Sequence, residues 1–429
     1  MKAYRTGHPP LIEGSAPKAD IQWGSTIPFI LAHLVCFAAI WTGVHLVDVM
    51  IALGLYALRM FGVTGGYHRY FSHRTFKTGR VFQFILAFIA QSSAQRGALW
   101  WASTHRHHHR HSDTDEDVHS PVKRSFIYSH MGWIFDRKHS ETDLSTVPDL
   151  AKYPELRWLD RNRYLPPIFL GFVVWLLAGW SGLVVGFFWS TVALWHATFF
   201  INSLAHVHGN QRYLTGDQSR NNWWLALLTF GEGWHNNHHY YQSAACQGFR
   251  WYEIDISFYI LKGLAFIGVV HELKTPPEAV VKNEQRLGRA VVEKAALQLA
   301  GSFHLDRIST ELRQSLASGR ASFDASMDDL SHKMDELHKD INILLDQWQA
   351  QLDFKMEHAR HEMGAFVHHL HLPDLPDLPN GQQLRDRALR MFAQTPSMNE
   401  ILERARQIMI AKVRESLMHT HTGSMPASA

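Results

Sequence analysis

Four apolar stretches set the terms for this chain: Ile27 to Leu46, Val49 to about Gly65, Leu165 to Trp180 and Leu183 to Ile201. A helix needs about 20 such residues to cross a bilayer, and backbone groups in hydrocarbon must bond within their own segment, so each stretch reads as a membrane-spanning helix. The third is short, and tilt or local thinning accommodates it. Almost nothing joins the first span to the second or the third to the fourth, which makes two tight helical hairpins. Neither hairpin tip carries a basic residue, whereas Arg69, Arg74, Lys77, Arg80, Arg96 and the basic residues up to Arg163 all fall between spans two and three. The positive-inside rule then places the N-terminus, that long loop and the C-terminus in the cytoplasm. Two further runs, Val81 to Ala90 and Ile254 to Val270, are too short or too interrupted to span and read as interfacial or core helices.

Nine histidines gather in four clusters outside or at the ends of these spans: His68 and His73; His105, His108 and His109; His206; and His235, His238 and His239. Positions i, i+3 and i+4 share a helix face, so each HxxHH run can aim three imidazoles the same way. His68 and His73 are five apart and would diverge on a straight α-helix, so one of them is expected where the helix ends. Asn202 and His206, at i and i+4, share a face. Neutral imidazole suits iron, copper, zinc and nickel, and nine imidazoles exceed what one ion takes, so a two-metal centre is expected. The topology brings all nine to the cytoplasmic side, where a helical domain would cap the bundle. His107 and His111 point elsewhere on the same helix and read as ordinary hydrogen-bonded side chains.

A net charge of +3 over 429 residues argues against binding nucleic acid by phosphate neutralisation. Cys36 and Cys246 are the only cysteines, which excludes a disulfide framework and a thiolate metal motif. The N-terminus lacks the pattern of a cleaved signal peptide.

Four blocks, GGYHRYFSHRTFK from Gly65, HRHHHRHSDTDED from His105, NSLAHVHG from Asn202 and GEGWHNNHH from Gly231, resemble the membrane-bound fatty acyl desaturases, in particular the bacterial relatives of stearoyl-CoA desaturase. The resemblance covers roughly residues 25 to 275. It implies that the nine histidines ligate two iron ions, that Asn202 contacts the second through water, and that dioxygen is the co-substrate. The implied reaction removes two hydrogens from a saturated acyl chain, usually at the ninth carbon, as acyl-CoA or acyl-lipid in a multi-pass protein of the bacterial inner membrane. No nucleotide fingerprint or cysteine cluster is present, so two electrons must come from a separate ferredoxin, rubredoxin or b-type cytochrome with its reductase.

Asp113, Asp115, Glu116 and Asp117 follow the second cluster and could accept ring N–H groups of ligand histidines. Trp100, Trp101, Trp133 and Trp234 are candidates to line an apolar tunnel, and Arg74 and Lys77 to hold a carrier phosphate. Ser103 and Thr104 stand where animal acyl-CoA enzymes tend to have Arg and Asp, and Val118 where many relatives have proline; both leave the carrier open. Three other readings compete. A membrane hydroxylase would use the same histidine site. A carboxylate di-iron oxidase would use the ExxH strings Glu116/His119 and Glu232/His235. The third is a non-catalytic metal-binding scaffold.

The remaining chain is of a different kind. Residues 1–24 form a cytoplasmic N-terminal segment and 25–275 the membrane core. In 276–372, Met327, Leu330, Met334, Leu337, Ile341, Leu344 and Trp348 follow a heptad, which suits self-association as a coiled coil or an amphipathic helix folded back on the core. In 373–429, Pro373, Pro376 and Pro379 break the chain before a last helix from about Gln383 to Leu417, and His368, His369 and His371 just ahead of them form a metal-prone tract at most.

Overall fold

The computed structural model describes residues 21–303, 310, 314 and 379–418. The heptad segment, the histidine tract at 368–371, Pro373 and Pro376, and residues 1–20 lie outside the described residues. The chain divides into two compact units, the first ending at Lys282 and the second beginning at Asn283.

The first unit is helical: α1 (Trp23–Thr42), α2 (Leu46–Ser72), α3 (Arg80–Gln91), α4 (Ala98–His111), α5 (Leu165–His206), α6 (His235–Tyr240) and α7 (Ile256–Phe266). Three of these, α1, α2 and α5, are long and apolar enough to cross a membrane. The boundaries shift from those expected. α1 begins four residues earlier and stops at Thr42, because Gly43 at φ +77° turns the chain, and α2 runs on past Gly65 to Ser72. α5 is a single 42-residue stretch broken at Gly179, whose φ of +64° and ψ of −158° no helix accommodates. Eight residues before the break, the open face of Gly171 meets the ring of Phe187, eight residues after it, so the two limbs pack antiparallel. α3 and α7 are short, at 12 and 11 residues.

Polar side chains tie these helices together. Arg59 of α2 is fully buried and donates to Ser190 Oγ at 2.5 Å and Thr191 Oγ1 at 2.6 Å on the second limb of α5, with its guanidinium over the Phe187 ring. A chain of imidazoles runs from His33 of α1 to His196 of α5 (3.0 Å), from His196 to His130 (2.9 Å) and from His130 to Ser203 Oγ (3.0 Å). Such bonds, with every partner satisfied, give packed apolar helices their register.

The histidine-bearing end of α2 has the wider π-helical winding over Gly62–Ser72. Gly62 is required there, because a Cβ would sit 2.8 Å from the backbone nitrogen of Ala90 on α3. Beneath the site Tyr67, Phe71, Phe76, Leu86, Leu99, Leu156 and Leu159 form one buried cluster, each fully buried large side chain contributing on the order of 1.5–3 kcal/mol. A two-residue ladder, Lys77–Thr78 with Val270–His271, closes the chain back onto the end of α2.

In the second unit the expected last helix is two, Gly381–Met391 and Met398–Met418, with Pro396 between them; proline has no N–H to continue the ladder. The first opens on a capping box between Asn380 and Gln383.

Candidate metal centre

The nine histidines converge as two groups: His68, His73, His105, His109 and His238 in one, His108, His206, His235 and His239 in the other, with the candidate ligand atoms of each group within 4.8 Å of one another. The HxxHH runs do not each serve one group, as facing imidazoles on one helix face would suggest. His105 and His109 of α4 belong to the first and His108 to the second, while in α6 His235 and His239 belong to the second and His238 to the first. Each helix thus sends its i, i+4 pair one way and its i+3 residue the other, so α4 and α6 together straddle both groups.

His68 and His73 converge instead of diverging. The π winding makes i and i+5 neighbours, shown by the His73 N–H donating to His68 O at 3.2 Å, and the rings lie 4.9 Å apart. His73 does stand at the end of the helix, as its C-cap. Arg106 fastens that end, donating to the carbonyls of Phe71 and Ser72 and forking onto Asp149 at 2.8 and 3.0 Å. Arg69 does the same beneath, bonded to Glu232 and Asp255.

In the first group Nε2 atoms approach in a chain: His73 to His105 at 2.9 Å, His105 to His109 at 2.9 Å, His109 to His238 at 3.0 Å and His238 to His68 at 3.0 Å. In the second, His206 and His235 Nε2 are 3.1 Å apart. Carboxylates accept from the opposite ring nitrogens. His108 Nδ1 lies 2.9 Å from Asp117, His206 Nδ1 3.0 Å from Asp113, His239 Nδ1 2.7 Å from Asp217 and His68 Nδ1 2.5 Å from Glu232. A carboxylate that accepts the hydrogen bond from Nδ1–H keeps the proton on Nδ1 and leaves Nε2 with its lone pair aimed at the centre of the group. Burial and neighbouring imidazoles push His73, His105, His109, His235 and His238 well below the ordinary histidine value, so these rings are neutral near pH 7. Burial works against the Asp117, Asp217 and Glu232 carboxylates, yet the histidines facing them, and Arg69 beside Glu232, hold all three below the usual range. His239 Nε2 has no protein partner although it is buried. His206 is the exception to neutrality: against its burial, the Asp113 carboxylate pushes it up to about 9, a proton that a bound metal would displace. Converging imidazoles with tautomers oriented by carboxylates are the donor set that two divalent metal ions require, and the residues fit them.

Of the four acidic residues proposed to orient ligands, Asp113 and Asp117 bond ring nitrogens of the nine. Asp115 and Glu116 do not: they are exposed, Asp115 pairing with Lys123 and Glu116 with His111. Glu232, Asp217 and Gln247, the last bonded to His68 at 3.1 Å, were not anticipated. Glu232 stands three residues before His235, a spacing that suggested a ligand, not a partner for Arg69 and His68; nothing in the local sequence marked Asp217. His119 is a further histidine at the site, 4.2 Å from the His108 ring, buried, with Nδ1 unpartnered.

A cavity of about 660 Å³, mid-range for small-molecule sites, adjoins the centre and is lined there by His105, His119 and Asn202. Trp100, Trp101 and Trp133 line it. Trp234 does not: it is buried elsewhere, its indole N–H bonded to Ile254 O. Arg74 and Lys77 lie on the surface in ion pairs with Asp149 and Glu272, away from the cavity lining. The second limb of α5 forms one wall, presenting Leu183, Phe187, Thr191, Trp195, Thr198 and Asn202 at helical spacing.

Apolar helices of membrane length beneath two convergent histidine groups define a class, the histidine-rich metalloproteins of membranes. The profile of the fatty acid desaturase family matches residues 18–264. The sn-1 stearoyl-lipid 9-desaturase of Anabaena variabilis is 36% identical over 263 residues, which cover 61% of this chain and 96% of that protein. An acyl-CoA 5-desaturase of Anemone leveillei is 35% identical over 281 residues, 63% of this chain and 87% of the relative. The chloroplastic palmitoyl-monogalactosyldiacylglycerol delta-7 desaturase of Arabidopsis thaliana is 38% identical over 235 residues, 54% of this chain and 63% of the relative. The chain belongs to the fatty acid desaturase family of membrane oxidoreductases.

Proposed function

We propose that the protein is a dioxygen-dependent acyl desaturase that introduces a cis double bond at the ninth carbon of a saturated chain. The observation that carries this reading is the junction of the two histidine groups with an elongated apolar cavity at His105 and Asn202. Two C–H bonds break and one carbon–carbon π bond forms, while dioxygen takes up the two hydrogens removed, together with two external electrons and two protons, to become two waters. The electrons come from an external ferredoxin, rubredoxin or b-type cytochrome.

His68, His73, His105, His109 and His238 would hold one iron ion; His108, His206, His235 and His239 would hold the second, with Asn202 beside it through water. Bound there, the pair supplies the oxidising power needed to take hydrogen from an unactivated methylene. The chain's own residues do the rest. Asp113, Asp117, Asp217 and Glu232 fix the imidazole tautomers. Trp100 and Trp133, stacked 5.9 Å apart, shield the reacting end from water. The stripe from Leu183 to Asn202 spans about 28 Å at ~1.5 Å per residue, which suits an extended long acyl chain. The break at Gly179 supports reading the two limbs of α5 as separate spans; four spans in two hairpins, with the basic residues gathered on the long loop, would leave the centre and both termini in the cytoplasm, as in a bacterial inner membrane.

The carboxylate di-iron reading loses its support, because Glu232 is committed to Arg69 and His68 and Glu116 is exposed. The test is the fatty-acid profile, with double bonds located by mass spectrometry, of a host making this protein beside one making His108→Ala. A monounsaturated acid present only with the parent is expected; a hydroxylated acid in its place would overturn the reading.

A further inference from the structure

An apolar face lies exposed beside α2, apart from the cavity lining. Two segments far apart in sequence build it: the helix Trp223–Leu228 with Phe230 after it, and the stretch from Trp251 to Ile267 that contains α7. Ser257 N–H donates to Phe230 O at 3.0 Å and joins the two. Trp223 is 66%, Trp251 93% and Phe266 92% exposed. Among the exposed residues of both segments Lys262 is the one that carries a charge. Large apolar patches of this kind mark interaction sites.

α7 shows how the face arises. Leu261 is fully buried in the core cluster with Phe258, Leu264 and Ala265 packed against it, whereas Tyr259, Lys262, Gly263 and Phe266, at i, i+3, i+4 and i+7, are exposed. The outer face of a helix on a soluble protein is ordinarily charged. Here its ammonium group lies 5.9 Å from the Phe258 ring centroid, and a lysine stem can follow apolar surface while the head reaches lipid phosphate.

Two hydrogen bonds fix the level of the face against the membrane. Tyr56 OH donates to Leu228 O at 2.8 Å, and Thr64 Oγ1 meets Ser257 Oγ at 2.5 Å. Tyr56 is about 15 Å from the start of α2 at ~1.5 Å per residue, roughly half the hydrocarbon thickness of ~30 Å. Leu228 therefore lies beside the span, not above it. Leu53, one turn before Tyr56 on the same side of α2, is exposed as well. Thr64 stands towards the histidine-bearing end of α2, which puts the start of α7 and its tyrosine and tryptophan neighbours near headgroup level.

The face is braced to the metal centre. Asp255 caps α7, accepting from Phe258 N–H at 3.0 Å, and pairs with Arg69; Arg69 pairs with Glu232, which accepts from His68 Nδ1. We propose that the Trp223–Phe230 turn and the outer face of α7 are a second, monotopic membrane contact, sunk in the phospholipid leaflet beside α2, which seats the segment carrying Glu232 and His235–Tyr240. The partner is a lipid surface because the face continues from a membrane span at bilayer depth and offers no exposed carboxylate. The proposal is independent of the desaturase reading, and neither test below needs turnover.

The full-length protein is placed in phosphatidylcholine vesicles with and without bromine near the glycerol end of the acyl chains. The emission of Trp223 and of Trp251 is isolated by difference from Trp223→Phe and Trp251→Phe. Quenching of both by bromolipid is expected, with iodide on both sides of the membrane ineffective. Quenching by iodide in its place overturns the proposal, and so does shielding from both quenchers that fades as the protein is diluted in the bilayer, the sign of a second copy. The seating role is read in the same vesicles by hydrogen exchange of His235–Tyr240, followed by mass spectrometry. Trp251→Glu with Phe266→Glu should speed exchange several-fold, while Trp251→Leu with Phe266→Leu, which keeps the face apolar, should leave it at the parent rate. Equal exchange in all three proteins overturns the seating role; faster exchange in both pairs would trace the effect to aromatic packing within the protein and overturn it too.

Discussion

The two histidine groups differ in what stands behind them. The four-histidine group has three carboxylates on its rings, Asp117, Asp113 and Asp217, whereas the five-histidine group has one, Glu232, which it shares with Arg69. With metal held as proposed, the four-histidine group would offset fewer imidazoles with more negative charge, which raises ligand basicity, and the five-histidine group would rely on number. The difference teaches that similar ligands on the same two helices need not make equivalent sites, because the loops packed behind them supply unequal charge.

The largest effect is expected from removing a ligand. His235→Ala, His238→Ala and His239→Ala should each reduce desaturation to background while the chain still inserts in membranes, and retained turnover in any of them would remove that residue from the ligand set. Next comes the carboxylate support. Asp217→Asn should lower metal affinity or activity by about 10–100-fold. Metal analysis should show the loss concentrated in one ion of the two, and an equal loss of both would erase the distinction between the groups.

Glu232→Gln should act on folding as well, since it leaves the buried Arg69 with Asp255 alone. Breaking a buried pair costs about 3–5 kcal/mol, and the isosteric amide should recover part of that. A thermal melt unchanged from the parent would show that Asp255 suffices.

The metal-free protein should be sensitive to acid, mostly through the five-histidine group. His73, His105, His109 and His238 are held well below 6.5, so the folded chain binds fewer protons than the unfolded one between those values and 6.5. Stability is therefore lost as pH falls below about 6.5 and regained above it. Melting temperatures between pH 7.5 and 5.5 check this, and bound metal, which also requires neutral imidazoles, should keep or steepen the dependence. The smallest effects belong to Asp115→Asn and Glu116→Gln, exposed residues expected to shift stability by no more than ~0.5 kcal/mol and to leave activity unchanged.

What could be read in advance followed local periodicity. Runs of apolar residues near 20 long announced α1, α2 and the limbs of α5, and the HxxHH spacing marked α4 and α6 as histidine-bearing helices. Asp113 and Asp117 were within reach because they follow α4 directly. Where such readings failed, a distant neighbour decided. The five-residue interval between His68 and His73 became a convergent pair only through the π winding of α2, packed against α3 at Gly62. Trp234 looked like its cavity-lining counterparts until its indole N–H found Ile254 O.

The sequence by itself determined the apolar helices and the nine imidazoles, because helix length and side-chain type are local properties of the chain. Only the tertiary structure decided how the nine divide into five and four and which carboxylates stand behind each group. Those depend on pairs such as Asp217 with His239 and Glu232 with His68, more than twenty positions apart in sequence, where no periodicity carries the information.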